Sequence, residues 1–372
     1  MPKWSRAPLY KQLLLAGIFL VSFLVLDGSS TASQNWAGAP TWYLPVGLTL
    51  ALLLYGGVRY SPLVFISSLT AAVLNYHRPI ISWCGAPGAI AVYAFYIGGV
   101  AILRDRWRID PKLGNLRDVG RFALVMLAAA IPGALLGTLT LVGDGLLSRS
   151  DALKTIVNWW ESDAISIVTF TPFLLLYVAP RVNSWMTQRA DARPAAPSLR
   201  RRVTRLEILE LAAQSGSVAA AIWLVFGFAP AIPYEPLYLL FIPVIWVAVR
   251  HGLSGATLTT FVINFGMTFA AWVTHAQGEG LPRLQLAMLA LGLTGVCLGA
   301  VVTERRRAEV ELAKRARVDT FAAEIAAGLA RSSVLRDGLK LCAEAFVRHL
   351  DLIFVGVWYL NDRTKVLELA AS

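Results

Sequence analysis

The sequence predicts an all-α polytopic membrane bundle of about ten transmembrane helices. A cytoplasmic linker helix and the truncated start of an α/β domain follow it. Three observations carry that prediction. Only 15% of the 372 residues are charged and 56% are apolar, where a soluble domain carries roughly 25% charged. Apolar stretches of span length recur from residue 12 to residue 303, and the 12 Trp, 11 Tyr and 16 Phe suit helices anchored at two interfaces. After Thr303 the text turns abruptly charged and alanine-rich.

The spans read as 12–27, 42–58, 61–77, 85–103, 119–143, 163–180, 212–230, 234–249, 253–274 and 283–303. Only Arg59 and Tyr60 separate the second from the third. A re-entrant pair there would leave eight spans, but the pair is made of ordinary apolar residues and two real spans are expected. Lys3, Arg6 and Lys11 before an apolar run also outline a signal peptide. The many later spans favour an uncleaved first helix. Pro45, Pro132, Pro172 and Pro243 interrupt helical ladders, which bundles tolerate where neighbours satisfy the freed carbonyls. Gly133-x-x-x-Gly137 and Gly295-x-x-x-Gly299 allow close helix approach.

Loop charge sets the orientation. With residues 1–11 inside, the inner segments before Thr303 carry 18 Lys and Arg and the outer ones carry 4, namely Arg78, Arg149, Lys154 and Arg283. That asymmetry follows the positive-inside rule and puts both ends of the chain in the cytoplasm of an inner-membrane protein. It also accounts for the net charge of +11 without a nucleic-acid partner. The three cysteines and four histidines are scattered, so neither a disulfide framework nor a metal or haem site is expected.

Polar residues inside hydrocarbon are expensive and often functional. This chain has almost no charge at mid-span. Asp27, Asp163 and Glu235 fall at the outer ends of spans, with His77 and Arg78 near the same level. Asn75, Gln214 and Asn264 are uncharged and suited to interhelical hydrogen bonds. The carboxylates read as interfacial anchors or as the mouth of a ligand pocket. Asn75, Arg78, Trp159, Asp163, Pro172 and Glu235 are therefore the candidate sensing or structural residues. No catalytic, cofactor or metal residue stands out.

The stretch 304–334 reads as a helical linker, with Val318, Phe321, Ile325 and Leu329 at helical spacing and available to a partner helix. A homodimer through this linker is expected. A second amphipathic helix from Leu335, the strand-like 352–360, the turn-like 361–364 and the alternating "KVLELA" follow. Two strands and a helix are hard to stabilise alone, so a longer complete protein is expected.

Ordered motifs then suggest a family. "WYLPVGLTLALLLYGGVRYSP" at 42–62, "LRDVGRF" at 116–122, "WWESDAISIVTFTPFLLL" at 159–176 and "FIPVIWVAVRHGLSGA" at 241–256 together resemble the membrane-associated sensor domain of the first type. That resemblance implies a bacterial sensory input module over 12–303, placed ahead of outputs such as histidine kinases or diguanylate cyclases. Two departures stand out. Ser162 and Ser166 occupy positions that tend to be glycine in the family, and "GAPGAIAVYAF" at 85–95 lacks its usual polar cluster. The stretch "RHLDLIFVGVWYLNDRTKVLELAAS" at 348–372 resembles the start of a GAF domain, without the part that would form a pocket.

The reading favoured is a sensory input module that answers a small-molecule or membrane-derived signal and relays it through the linker helix. The alternative is a transporter or channel for a small neutral solute. A linker helix entering a second domain serves no obvious transport purpose.

Overall fold

A computed structural model describes residues 4, 7–32, 40–187, 204–227, 236–273, 281–331, 335–350, 354–361 and 365–371. The chain divides into two compact units, Met1–Thr303 and Glu304–Ser372. The first is all helix: α1 Leu9–Ala32, α2 Leu44–Gly56, α3 Ser61–Leu74, α4 Ala86–Ala101 and α5 Leu116–Gly143, then α6 Ala152–Thr187, α7 Arg205–Gly227, α8 Leu237–Val273 and the start of α9, Leu281–Arg331.

Local chemistry explains where these helices begin. Proline stands in the first turn of α2, α3 and α4, where its missing N–H is no loss. The Asn115 side chain accepts the Asp118 N–H at 2.8 Å and caps α5. Thr204 and Glu207 form a reciprocal capping box at the start of α7.

Among the described residues seven helices are long and apolar enough to cross a membrane, and Leu44–Gly56 and Val58–Leu74 are shorter. One of the seven is two passes. Within α8, Gly252 adopts φ 66° and ψ −150°, a conformation open essentially to glycine. A Cβ on Gly295 would lie 3.2 Å from Val244 and 2.5 Å from Thr260. In a straight helix those two residues would be about 24 Å apart, so α8 doubles back at Gly252. Its arms are the expected eighth and ninth spans.

The short pair turns in the same way, at Gly57 with φ 105° and ψ 162°. The Arg104 guanidinium reaches the Leu53 and Leu54 carbonyls at 3.5 and 3.4 Å there. Trp4 packs on both Tyr55 and Tyr60 and donates to Asn183 at 3.0 Å. At the opposite end Tyr43 and Asn75 both reach Asp27. The pair therefore runs from the Asp27 end of the bundle to the Trp4 end and back. Counted as passes, α1 to α9 make ten among the described residues.

The small-residue motifs do what their spacing suggests. Gly299 packs against Leu253 and Ala256, where a Cβ would meet atoms at 2.8 and 2.9 Å. Gly137 leaves room for the Trp159 ring. In α6, π turns at Ser166–Phe170 and Leu174–Val178 flank Pro172. Proline has no N–H and crowds the carbonyl four residues back, and widening the helix relieves both problems.

In the second unit, Phe321 of α9 meets Phe346 of α10, Leu335–Leu350, edge-on at 4.9 Å. Arg348 lies 3.6 Å from Glu324. Part of the expected apolar stripe is thus used inside the chain, while Val318 remains exposed. The strands β1, Val357–Asn361, and β2, Val366–Ala371, pair antiparallel with Leu360 opposite Leu367. The turn expected at 361–364 lies largely outside the described residues.

Candidate functional site

The polar residues that the sequence scatters along five helices meet at one end of the bundle. Asp27, in the last turns of α1, is 1% exposed. A buried carboxylate needs partners, and three donors supply them. The Tyr43 hydroxyl donates at 2.7 Å, the Asn75 amide at 2.8 Å and the Tyr76 hydroxyl at 3.4 Å. Each donor stands at a helix terminus. Tyr43 is the N-cap of α2, and Asn75 is the C-cap of α3 with Tyr76 next to it. The Asn75 amide also donates to the Leu24 carbonyl at 3.2 Å, which ties α3 to α1.

Asp163, in α6, is 7% exposed and accepts the Tyr96 hydroxyl on Oδ2 at 2.6 Å. Its Oδ1 has no hydrogen-bond partner among the described residues. Tyr93 and Tyr96 both come from α4. Their i, i+3 spacing puts them on one helical face, and both are buried.

These groups surround a cavity of about 470 Å³. Asp27 and Asp163 both line it, with Tyr43, Tyr76, Tyr93 and Trp159 as aromatic walls. Arg78 also lines it. His77 takes a left-handed φ of 53° just before Arg78, a conformation His tolerates better than bulky residues do. Ser162 and Cys84 complete the polar surface.

Beside the cavity the 79–85 turn is pinned to the end of α5. Asp144 accepts the backbone N–H groups of Cys84 at 2.9 Å and Trp83 at 3.0 Å. Those bonds, with the Cys84 N–H first, hold the Asp144 carboxyl below the usual carboxylate range. Burial pushes the Cys84 thiol up to about 11, so near neutral pH it is protonated.

Of the six candidate residues, Arg78, Trp159 and Asp163 line the cavity, and Asn75 buttresses it through Asp27. Pro172 lies elsewhere, buried further along α6 between the two π turns. Glu235 falls outside the described residues. Asp27, which the sequence offers with the other carboxylates as an interfacial anchor or pocket mouth but not among the six candidates, lines the cavity; the tyrosines are not among the candidates at all. Tyr93 and Tyr96 sit in or beside the 85–95 stretch read as lacking a polar cluster. Their helical spacing was the available signal.

The lining contains no His and no Ser–His or Cys–His pair. Among the described residues no group of three or more His, Cys, Asp or Glu could hold a metal ion. The cavity offers acceptor oxygens, a guanidinium and aromatic faces, which suits the holding of a ligand.

Comparison with known proteins gives one result. The family model MASE1 matches residues 12–306. No curated protein and no solved structure matches.

Proposed function

Because the chain belongs to the MASE1 family, a sensory membrane domain found in signalling proteins such as histidine kinases and diguanylate cyclases, we propose that it is the ligand-sensing input module of a bacterial inner-membrane signalling protein. The cavity end faces the periplasm and both termini lie in the cytoplasm, in keeping with the 18 to 4 charge asymmetry. Residues 304–334 are the signalling linker, pairing across a homodimer, and 335–372 begin a GAF-like domain.

One observation carries the relay. The last membrane helix does not end where the bundle ends. It is α9, one helix from Leu281 to Arg331, and at the bundle's inner end its Thr303 Oγ1 accepts the Leu253 N–H at 2.8 Å. A displacement of the α8 hairpin turn therefore acts directly on the helix that leaves the membrane.

A packed route joins that turn to the cavity. The Tyr43 N–H donates to the Ser162 carbonyl at 3.4 Å. Neighbouring Trp42 meets Phe261, which stacks on Phe173 at 4.4 Å, and Phe173 stacks on Tyr177 at 5.3 Å. The Tyr177 hydroxyl donates to the Ser254 carbonyl at 2.8 Å, one residue from Leu253. Pro172 and its π turns sit within this column and give it a place to shift.

The test is a chimera of the full chain with a reporter output domain. Thr303→Val should leave the protein folded and in the membrane but reduce the stimulated change in output several-fold. An unchanged response would remove the Thr303 connection from the mechanism.

A further inference from the structure

We propose that the cavity binds a small organic ammonium ion, with the cationic head at Asp163 and the aromatic side chains as its cage. This deepens the sensory reading above and rests on it for biological meaning. The binding claim stands on the geometry of the cavity.

The charge balance comes first. Asp27 and Asp163 both line the cavity, against one guanidinium, Arg78. Among the described residues no Lys, Arg or His side chain forms an ion pair with either carboxylate. The connecting segments 33–39, 228–235 and 274–280 contain no Lys or Arg and one histidine, His275. A carboxylate out of water with no cation beside it either holds a proton or is met by a cation from outside the chain, and a bound cation favours the ionised form. The chain brings hydroxyls and an amide to these two groups instead.

The second observation is where acceptor capacity is left over. Asp27 is occupied by three donors. Asp163 is not: Oδ2 takes the Tyr96 hydroxyl, and among the described residues Oδ1 has no hydrogen-bond partner, on a side chain that is nine-tenths buried and lines the cavity. The Trp159 indole N–H is also buried, with no partner among the described residues. A built site with one open acceptor on an anionic group calls for a donor that carries positive charge.

The walls decide between kinds of cation. A hard divalent ion takes six or more oxygen ligands, and most of the carboxylate oxygens here already accept tyrosine or asparagine donors. Five aromatic side chains line the same space, Phe23, Tyr43, Tyr76, Tyr93 and Trp159, which favours a cation with diffuse charge that aromatic rings can attract. A volume of about 470 Å³ lies in the range of small-molecule pockets and leaves space beyond a choline-sized head for a longer ligand or for water.

The test uses the purified full chain in lipid nanodiscs, with no output domain. Choline and ethanolamine are the charged probes, and 3,3-dimethylbutan-1-ol is the neutral isostere of choline. Binding is followed by equilibrium dialysis. In parallel, the rate of Cys84 alkylation at pH 8.5 is resolved from Cys297 and Cys342 by peptide mass. At least one ammonium probe should bind tenfold or more tightly than the alcohol and slow the labelling of Cys84, which lines the cavity. Asp163→Asn should abolish that preference, while Tyr93→Phe, which keeps the ring, should retain it.

Equal affinity for charged and neutral probes, or no binding of either ammonium ion in the millimolar range, would overturn the proposal. The Cys84 protection measurement uses unmodified protein, so a misfolded Asp163 variant does not rescue the idea. Failure here leaves the sensory reading standing. Ammonium binding that never alters the chimera's output would sink the sensory reading and leave the ligand class intact.

Discussion

At the scale of single residues, the bundle depends on small side chains where helices nearly touch. Gly47 of α2 accepts no substitute readily: a Cβ there would lie 2.8 Å from Ser166 Oγ and 2.9 Å from Phe170. Gly47→Ala should destabilise the protein by about 1–3 kcal/mol, measured as a lowered thermal midpoint in detergent. Ser166→Gly in the same chain should restore part of the loss, because the Oγ is the nearer obstacle. Cys84 offers a pH test. Burial pushes its thiol up to about 11, against about 8.5 for an exposed thiol. Alkylation of Cys84 should keep rising to about pH 11 after a reference peptide has levelled off. An earlier plateau would show that burial of the thiol is not what the distances suggest. The carboxylates and Trp159 were legible in the sequence because a charge at a span end is conspicuous. The tyrosines were not, because a tyrosine in a membrane helix reads as an interface anchor until its hydroxyl's partner on another helix is known.

At the scale of elements, the sequence found the helices better than their ends. The expected span 163–180 is the middle of α6, which runs Ala152–Thr187. The expected span opens at Asp163 and leaves Lys154 in an outer segment, whereas the helix already runs through Trp159, which packs on Gly137. The two tight turns were legible from Arg59 and Arg250, since cationic residues mark inner connections. Their backbone geometry was not, because a glycine in apolar text carries no sign of its φ. Pro172 belongs at this scale as well. The π turns already accommodate it, so Pro172→Ala should raise the thermal midpoint by less than the equivalent of about 3 kcal/mol that proline costs in a regular helix. It should also stiffen the column beside Phe173. In the reporter chimera the stimulated change should shrink while basal output persists. A full response from a more stable variant would take Pro172 out of the relay.

At the scale of the whole molecule, orientation is the property most open to direct test. Single cysteines replacing Arg78 and Arg149 should react with an impermeant reagent from the periplasm. Cysteines replacing Asp110 and Ala195 should react only after the membrane is opened. Labelling of position 110 from outside would invert the topology and put the cavity in the cytoplasm. The homodimer has its own assay. Val318 is exposed on α9, and Val318→Cys should give a disulfide-linked dimer in membranes under mild oxidation. A purely monomeric product would remove linker pairing from the proposed mechanism.

The hairpin at Gly252 also bears on how the protein is made. Its first arm, 237–251, is shorter than the roughly 17 residues a span needs, and it ends on Arg250 and His251. Such a segment would not partition into lipid as a lone helix. The two arms must leave the insertion machinery together, closed at Gly252 and held by the packing of Val247 against Gly255. A side chain at position 252 would then act during biogenesis. Its signature would be chains degraded before assembly, so the variant would be missing from the membrane and its loss of signalling would be secondary.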